Sequence, residues 1–479
     1  MPNTLADWLS YLESLHPKTI ALGLERVAQV GQRLNLQPDF PVIIVGGTNG
    51  KGSVCAMLES ILHAAGYRVG CYTSPHLLDY NERVRIAKRQ ASDAELCASF
   101  ERIEQVRGNI ALTYFEFGTL AAMQCFIEHK VDVAILEVGL GGRLDAVNVF
   151  DADVSVVTSV DIDHVDYLGD TREQIAFEKA GIFRSGRVAI CADNDVPQAL
   201  RKHAQEIGAE LWCIGSEFGF SLPSPAGGIT SDLAVVVGQP SRMASSSTRG
   251  AGGEGRGSEA RTISITKPLS PTPLPLAGEG LSSGQWNYHS KVGARSALPF
   301  PSLRGAFQLN NASAVLAALD VLRGKLPVNM EAVRRGLVEV QLAGRFQFVP
   351  GKPQLILDVA HNPHAARSLA QNLAGLPPTK TYAVFAMLKD KDMDGVVRAL
   401  DAQVDIWLVA GIAAPRGATA AELVQVLQEA QVRGDIQACA SIAEALHEAS
   451  NRAGENDRIA AFGSFYTVAE VMRVRGLRG

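Results

Sequence analysis

The run Val42-Ile43-Ile44-Val45 enters a glycine-rich turn, Gly46-Gly47-Thr48-Asn49-Gly50-Lys51-Gly52-Ser53, which opens a stretch (53–65) with apolar residues at helical spacing. Strand, turn and helix in immediate succession point to an α/β fold and give the turn an anion-binding role. Its backbone N–H groups can cradle phosphate, the helix N-terminus faces the anion, and Lys51 reaches the terminal phosphates. Glycines also punctuate ordinary turns, but here strand, turn, lysine and helix coincide. The spacing departs from G-x-x-x-x-G-K-[ST], because Gly52 follows the lysine and Ser53 comes one position late. An ordinary GTPase or motor is therefore a poor match.

From residue 42 onward, short Val- and Ile-rich runs alternate with helical patterns, the signature of a parallel sheet covered by helices. Strands are predicted over 42–45, 131–138, 154–157 and 188–190, with a further helix over 118–127. Across 238–285 Gly, Ser and Pro dominate. So little apolar surface cannot offset the entropy of ordering, which predicts a disordered insertion whose removal leaves activity nearly unchanged. Helical patterns over 311–323 and 330–340 follow, moving the expected domain boundary to Gly344. Beyond it, strands over 354–358, 381–385, 405–409 and 458–462 and helices over 365–373 and 420–429 predict a second, smaller doubly wound sheet. Ligands of such sheets lie beyond the carboxyl ends of the strands, where Asp358 and Ser464 fall.

A chain of 479 residues has room for two to four domains. Lys plus Arg number 45 against 50 Asp plus Glu, a net charge of −5 that argues against a dedicated nucleic-acid binder. The seven cysteines are odd in number, scattered and never spaced C-x-x-C, so free buried thiols are expected rather than disulfides or a zinc cluster. The N-terminus lacks a basic stretch followed by an apolar run, and no stretch approaches the ~18 apolar residues of a membrane span. A soluble cytoplasmic protein is expected.

The G-T-N-G-K-G-S loop resembles the ATP loop of the Mur-ligase superfamily, and further segments narrow the resemblance to the dihydrofolate synthase/folylpolyglutamate synthase family. They are Thr73-Ser74-Pro75-His76-Leu77 with Asn81-Glu82-Arg83, Tyr114-Phe115-Glu116-Phe117, and Glu137-Val138-Gly139-Leu140-Gly141-Gly142-Arg143-Leu144-Asp145-Ala146. Asp163-His164-Val165-Asp166-Tyr167-Leu168-Gly169, Glu178-Lys179-Ala180-Gly181-Ile182, Gly344-Arg345-Phe346 and Leu357-Asp358-Val359-Ala360-His361-Asn362-Pro363 continue the series in the family's order. The resemblance implies an ATP-binding P-loop doubly wound sheet domain (1–343) followed by a smaller Rossmann-like α/β glutamate-ligase domain (344–479). It implies an ATP-dependent ligase that phosphorylates a carboxylate and lets the amine of L-glutamate displace phosphate, acting on 7,8-dihydropteroate and on reduced folates. A folylpolyglutamate synthase lacking the first activity, another Mur-type amide ligase and a nonenzymatic nucleotide switch are the alternatives.

By resemblance, ATP meets Thr48, Asn49, Gly50, Lys51, Gly52, Ser53, Asn311, Arg345 and Asp358, while Ser74, Glu137 and His164 hold Mg²⁺. Oxygen donors and few protein ligands suit magnesium; His164 on its own reads as a hydrogen-bonded loop histidine. Lys179 matches a lysine that is carbamylated in similar ligases, against the plain reading of a solvated surface charge. Lys51, Lys179, His361 and Asp358 form the expected catalytic set, and His361 and Ser464 the glutamate contacts. Thr19, Ile20, Ala21, Leu22, Thr113, Tyr114, Phe115, Glu116, Leu144, Asp145 and Ala146 resemble the pteroate contacts, although core packing is the commoner work of aromatics such as Tyr114 and Phe115. Asn311 and Asp358 also read as a helix cap and a strand-end turn residue. A monovalent cation as a second ion, a monomeric state, and no nucleic-acid or membrane partner complete the expectations.

Overall fold

The computed structural model describes residues 2–16, 21–223, 284–305 and 307–478. Eight strands form the first sheet: β1 (Val42–Gly46), β2 (Val69–Tyr72), β3 (Val84–Ile86), β4 (Arg89–Gln90), β5 (Val133–Glu137), β6 (Val154–Val157), β7 (Val188–Cys191) and β8 (Glu210–Cys213). Their order is β4-β3-β2-β5-β1-β6-β7-β8. From β2 to β8 every pairing is parallel, and β3 and β4 add an antiparallel edge. A separate antiparallel sheet holds β9 (Phe218–Ser221), β10 (Gln285–Ser290) and β11 (Gly293–Pro299). The third sheet contains β12 (Gln347–Val349), β13 (Gln354–Leu357), β14 (Thr381–Phe385), β15 (Ile406–Val409), β16 (Asp435–Ala438) and β17 (Arg458–Phe462), ordered β12-β13-β17-β14-β15-β16. Only β12 runs antiparallel to its neighbour.

The uninterrupted apolar run of β1 follows from its place between two helical layers. Successive strand side chains point to opposite faces. Val42 and Ile44 accordingly enter one core, with Trp8, Phe100 and Phe117, whereas Ile43 and Val45 enter the other, with Met57, Leu316 and Val333. Burying each such side chain stabilises the fold by about 1.5–3 kcal/mol. The second core belongs to the helices Lys51–Ala64, Gln308–Leu322 and Met330–Glu339, so segments beyond the antiparallel sheet return to cover the first sheet. The third sheet repeats the pattern, Leu355 and Leu357 facing one core and Ile356 the other.

The antiparallel sheet is pinned to helix Gln308–Leu322 by the buried Asp320. Its carboxylate accepts from the Tyr288 and Ser290 hydroxyls, each at 2.8 Å, and pairs with Arg295 at 2.6 Å. Gln285 is already part of β10, so it does not belong to the insertion expected over 238–285; residues 238–283 of that span lie outside the described residues. Among the described residues, no helix is long and apolar enough to cross a membrane. All seven cysteines are free thiols, six of them buried.

Candidate active site

Loops from the carboxyl ends of β1, β5 and β6 in the first sheet meet those after β13, β14 and β17 in the third, around a cleft of about 790 Å³. The turn after β1 is built to lie close against β6. Gly47 has φ 138°, and a Cβ there would stand 1.9 Å from Thr158 Oγ1. The Thr48 N–H donates to the Ser159 carbonyl at 2.7 Å, and the Asn49 N–H to Ser159 Oγ at 3.1 Å. Gly50, at φ 93°, turns the chain into helix Lys51–Ala64 where a Cβ would meet Asn311 Oδ1 at 2.8 Å. Lys51 Nζ folds back on the Gly47 and Thr48 carbonyls at 3.0 and 3.3 Å. Helix Gln308–Leu322 braces the turn: Gln308 donates to the buried Ser53 hydroxyl (3.3 Å), and Asn311 to Gln308 (3.1 Å). Asn311 lies inside this helix, so the cap reading fails.

The third sheet supplies the facing wall. Arg345 brings Nη2 within 3.8 Å of where a Gly52 Cβ would stand, and Glu137 Oε1 comes within 3.9 Å of the same point. Phe465 lies 5.3 Å beneath the guanidinium. Both Asp358 oxygens are committed, accepting the Phe346 and Ala360 N–H groups at 2.8 Å each, which fixes the bend that carries Arg345. Burial pushes the Asp358 pKa up, and Arg345 opposes the shift. His361 donates Nδ1–H to the Val359 carbonyl (2.8 Å), leaving Nε2 as an acceptor 3.8 Å from Asp163. Burial lowers its pKa to about 4, so the ring is neutral near pH 7. The buried Ser464 caps helix Phe465–Val474, accepting the Thr467 N–H at 3.0 Å and meeting the Thr467 hydroxyl at 2.7 Å.

Of the expected metal ligands, Glu137 sits at the end of β5, one oxygen accepting the Ser74 N–H at 3.1 Å and the other free of protein hydrogen bonds among the described residues. Burial raises its pKa, and Lys51 is the largest opposing influence. His164 (φ 53°) has its pKa lowered by burial to about 4, so its imidazole is neutral, the form that binds metal. Among the described residues no three His, Cys, Asp or Glu side chains cluster as a metal cage. A carboxylate oxygen, a hydroxyl and a neutral imidazole beside a phosphate loop nevertheless fit magnesium, which completes its shell with phosphate and water. Lys179 is not the surface charge of the plain reading. It is 3% exposed, and burial, reinforced by repulsion from Lys51, lowers its pKa to about 7.

Two residues that line the cleft, Asp163 and Lys391, and the buried Asn362 bonded to Asp163 escaped the sequence reading. Asp163 accepts from Lys391 Nζ at 2.6 Å and from Asn362 at 3.0 Å, and Lys391 also lies 3.2 Å from His164 Nε2. Asn362 further bonds Asn49 across the cleft at 3.2 Å. Asp163 and Asn362 sit inside the recognised segments, beside His164 and His361, which was the available signal; nothing in the sequence pairs Lys391 with either.

The pteroate set forms a separate group, off the cleft lining. Thr113 and Glu116 make a buried reciprocal cap on helix Tyr114–Glu128. Arg26 pairs with Glu116 at 2.9 Å and donates to the Ala21 carbonyl at 2.6 Å; next to Leu22, the Gly23 N–H donates to the Leu144 carbonyl at 3.3 Å. Tyr114 packs edge-on to Tyr80, and Phe115 lies against Tyr72. Asp145 accepts the Leu140 and Val147 N–H groups and caps the short helix Ala146–Val149; burial raises its pKa to about 7. Thr19 and Ile20 lie outside the described residues.

Residues 45–220 match the family model of the Mur ligase middle domain, and residues 344–465 that of the Mur ligase glutamate ligase domain. The dihydrofolate synthase/folylpolyglutamate synthase of Escherichia coli is 41% identical over 472 residues, covering 98% of this chain and 95% of that protein. A structure of E. coli FolC in complex with DHPP and ADP superposes with a TM-score of 0.82 at 41% identity, covering 99% of this chain and 98% of that one. A bifunctional folylpolyglutamate synthase/dihydrofolate synthase with Mn, AMPPNP and L-glutamate bound gives 0.80 at 41% identity, with 99% and 98% coverage. With such similarity along almost its whole length, the chain belongs to the dihydrofolate synthase/folylpolyglutamate synthase family of Mur-type ligases.

Proposed function

We propose that this chain joins L-glutamate to 7,8-dihydropteroate and to reduced folates, with ATP as the energy source and an acyl phosphate between the two half-reactions. The observation that carries the proposal is the meeting, in one cleft, of a phosphate-binding turn from the first sheet with Arg345, Asp358 and His361 from the third. A nucleotide switch has no use for the second group.

The turn N–H groups and Lys51 hold the ATP phosphates, Lys51 exchanging its two carbonyl partners for phosphate oxygens. Arg345 offsets the charge that builds up as the γ-phosphoryl group moves. The substrate carboxylate attacks γ-phosphorus, an O–P bond forms and ADP leaves. The glutamate amine, once it has lost a proton, then attacks the acyl carbon, and phosphate departs as the amide forms. His361 Nε2 is oriented to accept a hydrogen bond from that amine, while Ser464 holds helix Phe465–Val474 and thereby Phe465 beneath Arg345. Asn311 shapes the turn through Gly50 and Gln308.

Glu137, Ser74 and His164 would hold Mg²⁺, which neutralises phosphate charge when bound. A lysine amine reacts with carbon dioxide only when uncharged, and Lys179, with its pKa lowered to about 7, is largely neutral at mildly alkaline pH. Its carbamylation would place an anion where the buried cation is disfavoured. The pteroate group around Arg26, Glu116, Leu144 and Asp145 binds the pterin-bearing substrate. The chain divides at Gly344 into the two ligase domains and works as a cytoplasmic monomer.

The test is ADP release with Mg-ATP and L-glutamate, comparing 7,8-dihydropteroate with tetrahydrofolate and weighing each product. Both substrates should gain glutamate. Turnover of tetrahydrofolate alone would reduce the function to folylpolyglutamate synthesis, and turnover of neither would refute it.

A further inference from the structure

The loop that joins β2 to β3, residues 73–83, carries Ser74, His76 and Arg83 into the cleft wall and reaches the third sheet, where Leu77 is buried with Leu355 and Val468. Both ends of this loop are held by a side chain outside every recognised segment. Arg85 stands opposite Cys71 on the antiparallel strand β3; its neighbours Val84 and Ile86 enter one core, and its own side chain turns to the other face. Helix Lys51–Ala64 covers that face with Val54, Met57 and Leu58, and there the buried Glu59 meets the guanidinium. Arg85 Nε lies 3.1 and 3.0 Å from the two Glu59 oxygens, and Nη2 lies 2.9 Å from Oε2 while donating to Cys71 Sγ at 3.3 Å. The other arm of the fork reaches the loop. Nη1 donates to Thr73 Oγ1 at 3.1 Å, at the first loop residue, and to the Glu82 carbonyl at 2.9 Å, next to the last. Between these points the Glu82 carboxylate accepts the Leu77, Leu78 and Asp79 N–H groups at 2.7–2.8 Å, and the Ser74 N–H donates to Glu137 at 3.1 Å.

We propose that Arg85 is a positioning residue for the ligation: its guanidinium, anchored on Glu59 of the helix that opens at the phosphate turn, clamps both ends of loop 73–83 and so sets Ser74 beside Glu137, where Mg²⁺ would be held. The inference rests on the ATP-dependent function proposed above and deepens it. Neither Arg85 nor Glu59 lines the cleft, so the pair acts through Ser74 and not on substrate. A buried ion pair is weak evidence for stability, because apolar side chains of similar volume often take its place without loss. An apolar pair would suit this layer between sheet and helix, but it could not donate to Thr73 and Glu82 at once. A planar fork does so with fixed geometry, which the point charge and flexible stem of a lysine do not reproduce. Groups that orient a metal ligand without touching the metal commonly change metal affinity or activity by about 10–100-fold when removed.

The experiment compares the wild-type full chain with the double replacement Glu59→Leu/Arg85→Met and with Arg85→Lys. Three readouts are taken: urea unfolding, hydrogen exchange of the metal-free protein, and the Mg²⁺ dependence of glutamate ligation to tetrahydrofolate. The double variant should unfold at a urea midpoint no lower than wild type, while amide exchange within 73–82 speeds up and the Mg²⁺ concentration for half-maximal rate rises about tenfold. Arg85→Lys keeps the charge beside Glu59 but lacks the fork, so it should show the same rise, and it carries the test if the double variant does not fold. Exchange within 73–82 and Mg²⁺ dependence that both stay within about twofold of wild type overturn the proposal. So does a lower midpoint with exchange raised evenly across the first sheet, the mark of a pair that is structural only. An Arg85→Lys chain with wild-type Mg²⁺ dependence also overturns it, since charge alone would then suffice. Wild-type chain that exchanges slowly within 73–82 but ligates nothing refutes the proposed function, and with it any role of the clamp in the reaction.

Discussion

Replacing Lys179 by methionine should stabilise the fold while destroying activity. The amine is 3% exposed, and its pKa falls from 10.5 to about 7 because burial penalises the charge and Lys51 repels it. In the unfolded chain a lysine keeps its proton to about pH 10.4. Between the two values the unfolded state binds the extra proton, so stability rises with pH through that window, and the cost is fully present below it. Converted at about 1.36 kcal/mol per pH unit, that cost is about 4 kcal/mol at pH 7 and about 2 kcal/mol at pH 9. Methionine fills a similar volume without a charge, so the variant escapes the penalty. Urea unfolding in carbon-dioxide-free buffer should find Lys179→Met more stable than wild type by at least about 1 kcal/mol at pH 7, with roughly half the difference at pH 9. Bicarbonate should stabilise wild type alone, by mass action on the carbamylated folded state. A variant less stable than wild type at pH 7, or a difference that does not change with pH, would refute the reasoning.

Lys51→Ala should abolish ligation with circular dichroism unchanged, because the lysine contacts only turn carbonyls; retained turnover would remove it from the phosphate site. Gly50→Ala forces a left-handed φ of 93° and a Cβ 2.8 Å from Asn311 Oδ1, a strain of about 1–3 kcal/mol that should raise the KM for ATP about tenfold or more in a steady-state assay. Asp163→Asn leaves the buried Lys391 ammonium without its anion, and urea unfolding should record a loss of about 3–5 kcal/mol. Asp320→Ala strips three donors of their acceptor, and a loss of similar size, about 3–5 kcal/mol, is expected by the same measurement with the antiparallel sheet released first in hydrogen exchange.

The parallel strands were legible where β-branched residues run unbroken, as over 42–45 in β1, because burial on both faces removes any polar alternation. β2 was missed: it is four residues long and contains Gly70, where a Cβ would stand 2.7 Å from the Phe126 ring, so packing rather than propensity sets it. The antiparallel sheet was missed for another reason. Its strand β10, Gln285–Ser290, owes its burial to Trp286 and Tyr288 and its anchorage to Asp320, some thirty residues away. In the cleft, the phosphate turn was visible because all its parts are local. The Asp163–Lys391 pair was not, since 228 residues separate the partners and only the folding of two sheets against one cleft joins them. Lys179 looked like a surface charge because its helix, Arg172–Ala180, carries mostly polar residues; its burial comes from neighbours remote in sequence.

The acyl phosphate can be observed through the fate of oxygen. With dihydropteroate labelled by ¹⁸O in its carboxylate, ATP and L-glutamate, each turnover should transfer one labelled oxygen to the inorganic phosphate, detected by mass. Phosphate released without label, alongside amide formation, would show that the carboxylate is never phosphorylated and would contradict the mechanism.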